Sequence, residues 1–335
     1  MEANITIDRM ARGYLPMTEE LEQVLTMKND AYLLQTADEV RRKAVGDTVH
    51  IRGILEFSNH CRCGCFYCGL RRQNEKLPRY RMEPDEIIEA AKAASEAGYR
   101  TVVLQSGEDM WYTGEKLCGV IEGIRRECGE MAITLSVGER PFEELRAFRA
   151  AGADRYLIKH ECSDARMYGR ICDGKALVNR IGCQRNLKKL GYELGGGFMV
   201  GLPGQRTRMV ANDLLMLRRL GCDMAGIGPF IPHPDTPFGG YQPGSARLTL
   251  RAVALARLLL PKANLPATTS LGVLDKKGRD AVFSGGANVI MRKVTPWAYR
   301  RQYEIYPTDF GEETDLATAR RELEEYIRSI GKVPL

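Results

Sequence analysis

Four of the ten cysteines lie between Asn59 and Arg72, at Cys61, Cys63, Cys65 and Cys68. Read as Cys61, Cys65 and Cys68, they are separated by three residues and then two, a spacing that lets three thiolates of one loop reach three corners of an iron–sulfur cube. Most electron-transfer clusters use four cysteines, so three ligands leave one iron open and mark a place where something else binds. The bland alternative is structural zinc, for which Cys-x-x-Cys pairs are the usual sign. Zinc sites of that kind pair two such knuckles across a longer spacer, and no second pair follows downstream. Cys63 reads as a spare thiol.

The elements that must position this loop follow a repeating unit: an apolar-striped helix ends at a glycine, two residues pass, and a short apolar strand begins. Strands are expected over residues 50–56, 101–105, 132–136, 155–159, 193–200, 224–228, 265–269 and 288–291. The helix expected over 84–97 has Pro84 at its first position, a stripe of Ile87, Ile88, Ala91 and Ala94, and Gly98 after its end. The same punctuation recurs at Gly152, Gly191, Gly221 and Gly286, where glycine fits a left-handed cap. Strict strand–helix alternation calls for a parallel sheet, and eight units match a closed (β/α)8 barrel. An open doubly wound sheet is the alternative, but the cysteine loop stands where its glycine-rich nucleotide turn would follow the first strand. Residues 1–46 read as an N-terminal helical extension covering one end, with two helices between 17 and 45, Asp30 as an N-cap and Gly46 past the end. Residues 47–310 form the barrel and 311–335 a C-terminal helix.

Chemistry in such barrels sits at the C-terminal strand ends, and the polar motifs fall there. Gln105 to Asp109 follows the second strand, Ser136 to Glu139 the third, His160 and Glu161 the fourth, Gly201 to Gln205 the fifth. Pro229 to Pro237 follows the sixth, and Thr268 to Ser270 closes the seventh. One mouth is expected from all of these loops.

Composition narrows the class. The chain has 335 residues, 44% hydrophobic and 27% charged, with a formal net charge of +6, which is the profile of a globular protein. The basic residues are interleaved with acids, apart from Arg71, Arg72, Lys76, Arg79 and Arg81. A nucleic-acid surface would show a stronger stripe with aromatics between, so that stretch reads as a solvated loop face, or a docking site for an acidic partner. The N-terminus has neither a secretory signal nor an anchor, and no run approaches the ~18 apolar residues of a membrane span. Ten cysteines in an unsecreted chain argue for reduced thiols, and an oxygen-sensitive cluster fits an anaerobic cytoplasm. No nucleic acid and no membrane are expected as partners.

The motif Cys61-x-x-x-Cys65-x-Tyr67-Cys68 is similar to the signature of the radical SAM superfamily, in which the open iron is chelated by the methionyl part of S-adenosylmethionine. From about Asn59 to Tyr306 the chain resembles the HydE-type maturases of FeFe-hydrogenase, within the biotin synthase-like barrels. Tyr67 to Arg72, Arg79 to Met82, Leu104 to Asp109, Ala153 to Leu157, Val200 to Gln205, Gly226 to Pro237 and Pro266 to Thr269 carry the likeness. It implies a 4Fe-4S cluster on Cys61, Cys65 and Cys68, with Ser106, Gly107 and Glu108 along the methionyl amine. Glu161 would hold the ribose hydroxyls, and Arg180 would pair with the carboxylate. Both assignments suit the groups, since a carboxylate accepts from vicinal hydroxyls and a guanidinium binds a carboxylate in bidentate fashion. Tyr67, Met199 and Ile231 would pack near the adenine, and Gln105, Ser136 and Pro229 complete the implied cofactor contacts.

Implied substrate contacts are Thr134, Arg155, Lys159, Thr268, Thr269, Tyr303 and Tyr306. Arg155 and Lys159 fall on one strand face, and buried cations need anions, so a small anionic or organometallic substrate is expected. Lys159 stands where the family has Arg, and no cysteine follows Gly311, so the extra C-terminal cluster of some relatives is missing. The resemblance also implies a one-electron donor of the flavodoxin or ferredoxin type and other hydrogenase maturases as partners. Competing readings are an amino-acid mutase similar to methylornithine synthase, sulfur insertion as in biotin synthase, and a non-catalytic iron–sulfur scaffold.

Overall fold

A computed structural model describes residues 2–335, the side chains of 276–279 excepted. Eight parallel strands run around a nearly closed barrel: β1 (Thr48–Ser58), β2 (Thr101–Ser106), β3 (Ala132–Ser136), β4 (Arg155–Leu157), β5 (Glu193–Val200), β6 (Met224–Pro229), β7 (Pro266–Ala267) and β8 (Val289–Lys293). Their order is β6-β5-β4-β3-β2-β1-β8-β7. Between β6 and β7 a single parallel bridge, Met224 to Asn264, closes the circle. The expected strands are all present; the seventh is the most shortened, because Thr268 and Thr269 already turn into a helix.

The connecting helices owe their ends to local chemistry. The helices that precede β1 are α1 (Glu2–Ala11), α2 (Thr18–Thr26) and α3 (Ala31–Val45); those between β1 and β5 are α4 (Pro84–Glu96), α5 (Gly114–Cys128), α6 (Phe142–Ala151), α7 (Ala165–Ile171) and α8 (Leu177–Lys189). Pro84 does start α4, where the Glu83 amide donates to Glu86 at 2.7 Å. The Thr113 hydroxyl caps α5 and the Asp164 carboxylate caps α7, each satisfying an amide the first helical turn leaves free. Gly152 and Gly221 stop their helices in the left-handed conformation, where a side chain would be strained. Ile87, Ala91 and Ala94 of α4 are buried as the stripe requires, while Ile88 packs so close to Gly123 of α5 that a methyl there would lie 2.3 Å from it.

After β5 come α9 (Thr207–Leu220) and α10 (Ala246–Leu259), and α1 to α3 rest on these two. Asp30 stands at the start of α3 but its carboxylate makes no cap; it pairs with Arg247 and Arg251 of α10 instead. The final helix, Leu316–Ser329, leads to Val333 and Pro334, which add a short parallel pairing to the start of β1.

Candidate functional site

The C-terminal strand ends surround a cavity of about 370 Å³, lined by all four cysteines of the loop and by residues from all eight barrel strands. The loop is held by main-chain contacts that explain its sequence. Arg79 donates to the carbonyls of Leu70, Arg71 and Asn74, at 3.0, 2.7 and 3.1 Å, stitching the loop from behind. Arg81 forks onto Asp109 at 2.7 and 3.1 Å, Arg72 pairs with Asp173 and Lys76 with Asp235. The basic stretch that reads as a solvated face or docking site is therefore largely committed to the protein's own carboxylates and carbonyls.

Cys61, Cys65 and Cys68 face the cavity from one wall. The Cys61 sulfur accepts the amides of Cys63 and Glu108 at 3.4 and 3.3 Å. Cys63 differs: its thiol donates to the Glu108 carboxylate at 2.7 Å, and the same oxygen receives Lys175 at 2.6 Å and Arg62 at 3.3 Å. Burial raises the Cys68 thiol to about 12, so a cation must be supplied before it ionises. Among the described residues no three of His, Cys, Asp and Glu converge closely enough to hold a single metal ion.

Tyr67, Gln105, Ser106, Gly107, Glu108, Ser136, Glu161, Arg180, Met199, Pro229 and Ile231 all line the same cavity. Gly107 is a cradle: a Cβ there would meet the His60 carbonyl at 2.2 Å and the Cys61 side chain at 2.7 Å. Gly107→Ala is expected to displace the cysteine loop and abolish cluster loading, read by iron content and visible absorbance, while unchanged loading would show that the loop tolerates the shift. Glu161 has φ +59°, a conformation that costs a side-chain-bearing residue about 1–2 kcal/mol. Its Oε2 is buried without a hydrogen-bond partner, which is the condition of an acceptor awaiting a donor. Arg180 donates Nε to Glu139 at 2.6 Å and Nη1 to the Lys159 carbonyl at 2.9 Å. It therefore reaches the cavity already oriented, with part of its fork committed.

The expected substrate residues divide. Lys159, Thr268, Thr269, Tyr303 and Tyr306 line the cavity. Arg155 and Thr134 do not. Arg155 shares its face with Lys159 but lies at the opposite end of β4, paired with Glu193 at 2.6 Å, and Leu157 fills the layer between. Thr134 is fully buried in the strand layer level with Arg155, its hydroxyl without a partner. Shared strand parity brought both onto the inner face; depth along the barrel axis separates them from the mouth.

Two charged lining residues went unnoticed in the sequence. Glu56 and Lys293, near the ends of β1 and β8, form an ion pair at 3.0 Å on the cavity wall. Burial raises the Glu56 carboxyl while Lys293 opposes that shift. The available signal was an acid at an inward position of the apolar run Ile54 to Phe57. Beneath the floor, Arg52 contacts the Met224 sulfur, and burial lowers its guanidinium to about 10.

A nearly closed parallel barrel whose first loop spaces Cys61, Cys65 and Cys68 by three residues and then two defines a class, and comparison with known proteins agrees. Residues 55–217 match the Radical SAM superfamily. The "[FeFe] hydrogenase maturase subunit HydE" of Thermotoga maritima is 48% identical over 86% of this chain and 83% of its own length. The "3-methylornithine synthase" of Methanosarcina acetivorans is 26% identical over 97% of this chain and 89% of its own. Among solved structures, methylornithine synthase (PylB) superposes with a TM-score of 0.87 at 24% identity, covering 98% of this chain and 97% of the other. HydG of Carboxydothermus hydrogenoformans gives 0.85 at 20% identity, covering 99% and 79%. These two likenesses show the fold. The chain belongs to the radical SAM superfamily and, within it, to the family of the Thermotoga HydE protein. It is a radical SAM enzyme, and its family implies a 4Fe-4S cluster and S-adenosylmethionine. Among the described residues no helix is long and apolar enough to cross a membrane.

Proposed function

We propose that this enzyme cleaves S-adenosylmethionine reductively and acts on a small anionic, iron-bearing precursor in FeFe-hydrogenase maturation. The observation that carries the reading is the meeting of three thiols, a partnerless Glu161 carboxylate oxygen and the Lys159 ammonium on one cavity at the barrel mouth. Cys61, Cys65 and Cys68 would hold the cluster, and Gly107 leaves the backbone open beside it. When bound, the cluster would supply the single electron for reductive cleavage of the sulfonium of S-adenosylmethionine.

The chain's own residues bind and orient. Glu161 accepts from the ribose hydroxyls, and the free arm of Arg180 meets the methionyl carboxylate while Glu139 keeps its plane fixed. Lys159, Thr268 and Thr269 offer a positive, hydroxyl-lined pole to an anion. Tyr303 and Tyr306 close that pole and keep water from the reacting carbon, as radical chemistry requires. A charge-assisted hydrogen bond is worth about 1.5–3 kcal/mol, so Arg180→Ala is expected to weaken S-adenosylmethionine binding about tenfold or more; unchanged affinity would remove Arg180 from the site. The function itself is tested by adding the reconstituted enzyme to a hydrogenase-activation mixture lacking the HydE component. Restored hydrogenase activity supports the proposal; 5′-deoxyadenosine without activation opposes it.

One feature favours an amino-acid mutase instead. The Glu56–Lys293 pair places opposite charges side by side on the cavity wall, the complement of an amino acid's ammonium and carboxylate. Rearrangement of a supplied amino acid in the same assay would decide for that reading. A one-electron donor of the flavodoxin or ferredoxin type and the companion maturases are the partners this proposal requires.

A further inference from the structure

Behind Glu161, outside the cavity, lies a polar cluster that the reaction does not touch. His160 and Asp213 are both fully buried, His160 after β4 and Asp213 on α9. His160 Nε2 stands 3.5 Å from Asp213 Oδ1. That carboxylate oxygen also accepts the Ser163 amide. Asp213 Oδ2 has no hydrogen-bond partner, and no lysine or arginine among the described residues forms an ion pair with Asp213. A buried carboxylate held by a single amide, beside an imidazole whose two ring nitrogens also lack hydrogen-bond partners, is costly to keep, and nothing in the hydrophobic packing between β5 and α9 calls for it.

What lies between its two anchors is the turn that carries Glu161. The amides of His160 and Glu161 both donate to the Gly197 carbonyl, at 3.0 and 3.1 Å, and Cys162 donates back to His160 at 2.6 Å. Glu161 itself is left-handed, one of two such residues other than glycine among those described. A strained backbone persists only where its surroundings over-determine it. Asp213 grips that backbone two residues beyond Glu161, through the Ser163 amide, and the same oxygen lies 3.5 Å from the ring of His160, the residue before Glu161.

We propose that His160 and Asp213 are positioning residues that hold the 160–163 turn, and thereby aim the Glu161 carboxylate into the cavity at the ribose of S-adenosylmethionine. The inference rests on the reading of Glu161 as the ribose-binding group. It follows that Asp213 acts only through Glu161.

The test is a double-mutant cycle on the cluster-loaded enzyme, read as the affinity for S-adenosylhomocysteine by equilibrium titration. Glu161→Gln is expected to weaken binding about tenfold, and Asp213→Asn about fivefold. The double variant is expected to stay within about twofold of Glu161→Gln, since contacts that act as one unit do not add. Affinity for L-methionine, which lacks the ribose, should remain within about twofold in Asp213→Asn. General loosening of the site would weaken both ligands and multiply in the double variant, and either result overturns the proposal. Asp213→Asn binding S-adenosylhomocysteine like the parent, with Glu161→Gln impaired, overturns the positioning role alone. Glu161→Gln binding like the parent overturns the ribose reading and the inference with it. If Asp213→Asn does not fold, the same cycle run with His160→Gln carries the same expectations.

Discussion

Replacing Cys61, Cys65 or Cys68 with Ser is expected to remove the iron–sulfur cluster, whereas Cys63→Ser is expected to retain it. After reconstitution, the parent and Cys63→Ser should carry about four irons per chain and the other three variants close to none. The reason is geometric as much as arithmetic. Cys63 is already engaged, its thiol 2.7 Å from a Glu108 oxygen that also receives Lys175, and a serine hydroxyl can keep that bond. The Cys61 sulfur, by contrast, accepts two amides, from Cys63 and Glu108, while the neighbouring Cys63 side chain and burial push its thiol above the ordinary value, so that it ionises only against a bound cation. Equal iron loss at Cys63 would mean that the loop binds through a different set of thiols, and the open-iron argument would go with it.

Lys159→Met is expected to separate the two halves of the activity. Its side chain runs over Gly197 and Gly226, where added methyl groups would lie 3.1 Å from its methylenes, and reaches the cavity without an ion-pair partner among the described residues. Breaking a buried charge pair costs about 3–5 kcal/mol, so the apparent binding constant of an anionic substrate should rise on the order of a hundredfold or more. Formation of 5′-deoxyadenosine without substrate should persist, because that cleavage depends on the cluster wall across the cavity. Lys159→Arg offers a planar fork in the space the two glycines leave, and improved turnover of a HydE-type substrate is the expected result. If Lys159→Met binds every candidate anion as the parent does, the cavity does not select by charge.

The chain's own order of residues determined the loop chemistry and the barrel. Cys61, Cys65 and Cys68 are local in sequence, so their spacing fixes what they can share before any folding. The helix-to-strand punctuation is local too, and Gly98, Gly152, Gly191, Gly221 and Gly286 all adopt positive φ where a helix ends and a strand must begin. Alternation likewise put Lys159, Glu161 and the Thr268 to Ser270 turn at one mouth. The first helix, Glu2–Ala11, escaped notice because its apolar face is narrow, only Ile7 and Met10 among its hydrophobic residues being buried, and it is completed by α3 and α10.

Tertiary structure decided what depends on depth and on distant partners. Strand parity cannot distinguish Arg155 from Lys159, since both point inward; only the barrel axis shows that Leu157 and the Glu193 ion pair leave Arg155 below the cavity. Partners far away in sequence likewise fixed the fate of single charges. Asp30, which reads as a helix cap, is drawn off by Arg247 and Arg251, because two guanidiniums outbid one amide for a carboxylate. Glu56 and Lys293 meet only because β1 and β8 are neighbours in the closed sheet, and Asp213 reaches His160 only because α9 packs behind β5, the neighbour of β4. Local spacing sets the chemistry that a single loop can carry, whereas the charge balance of the cavity arises from strands that the chain joins only on closing the barrel.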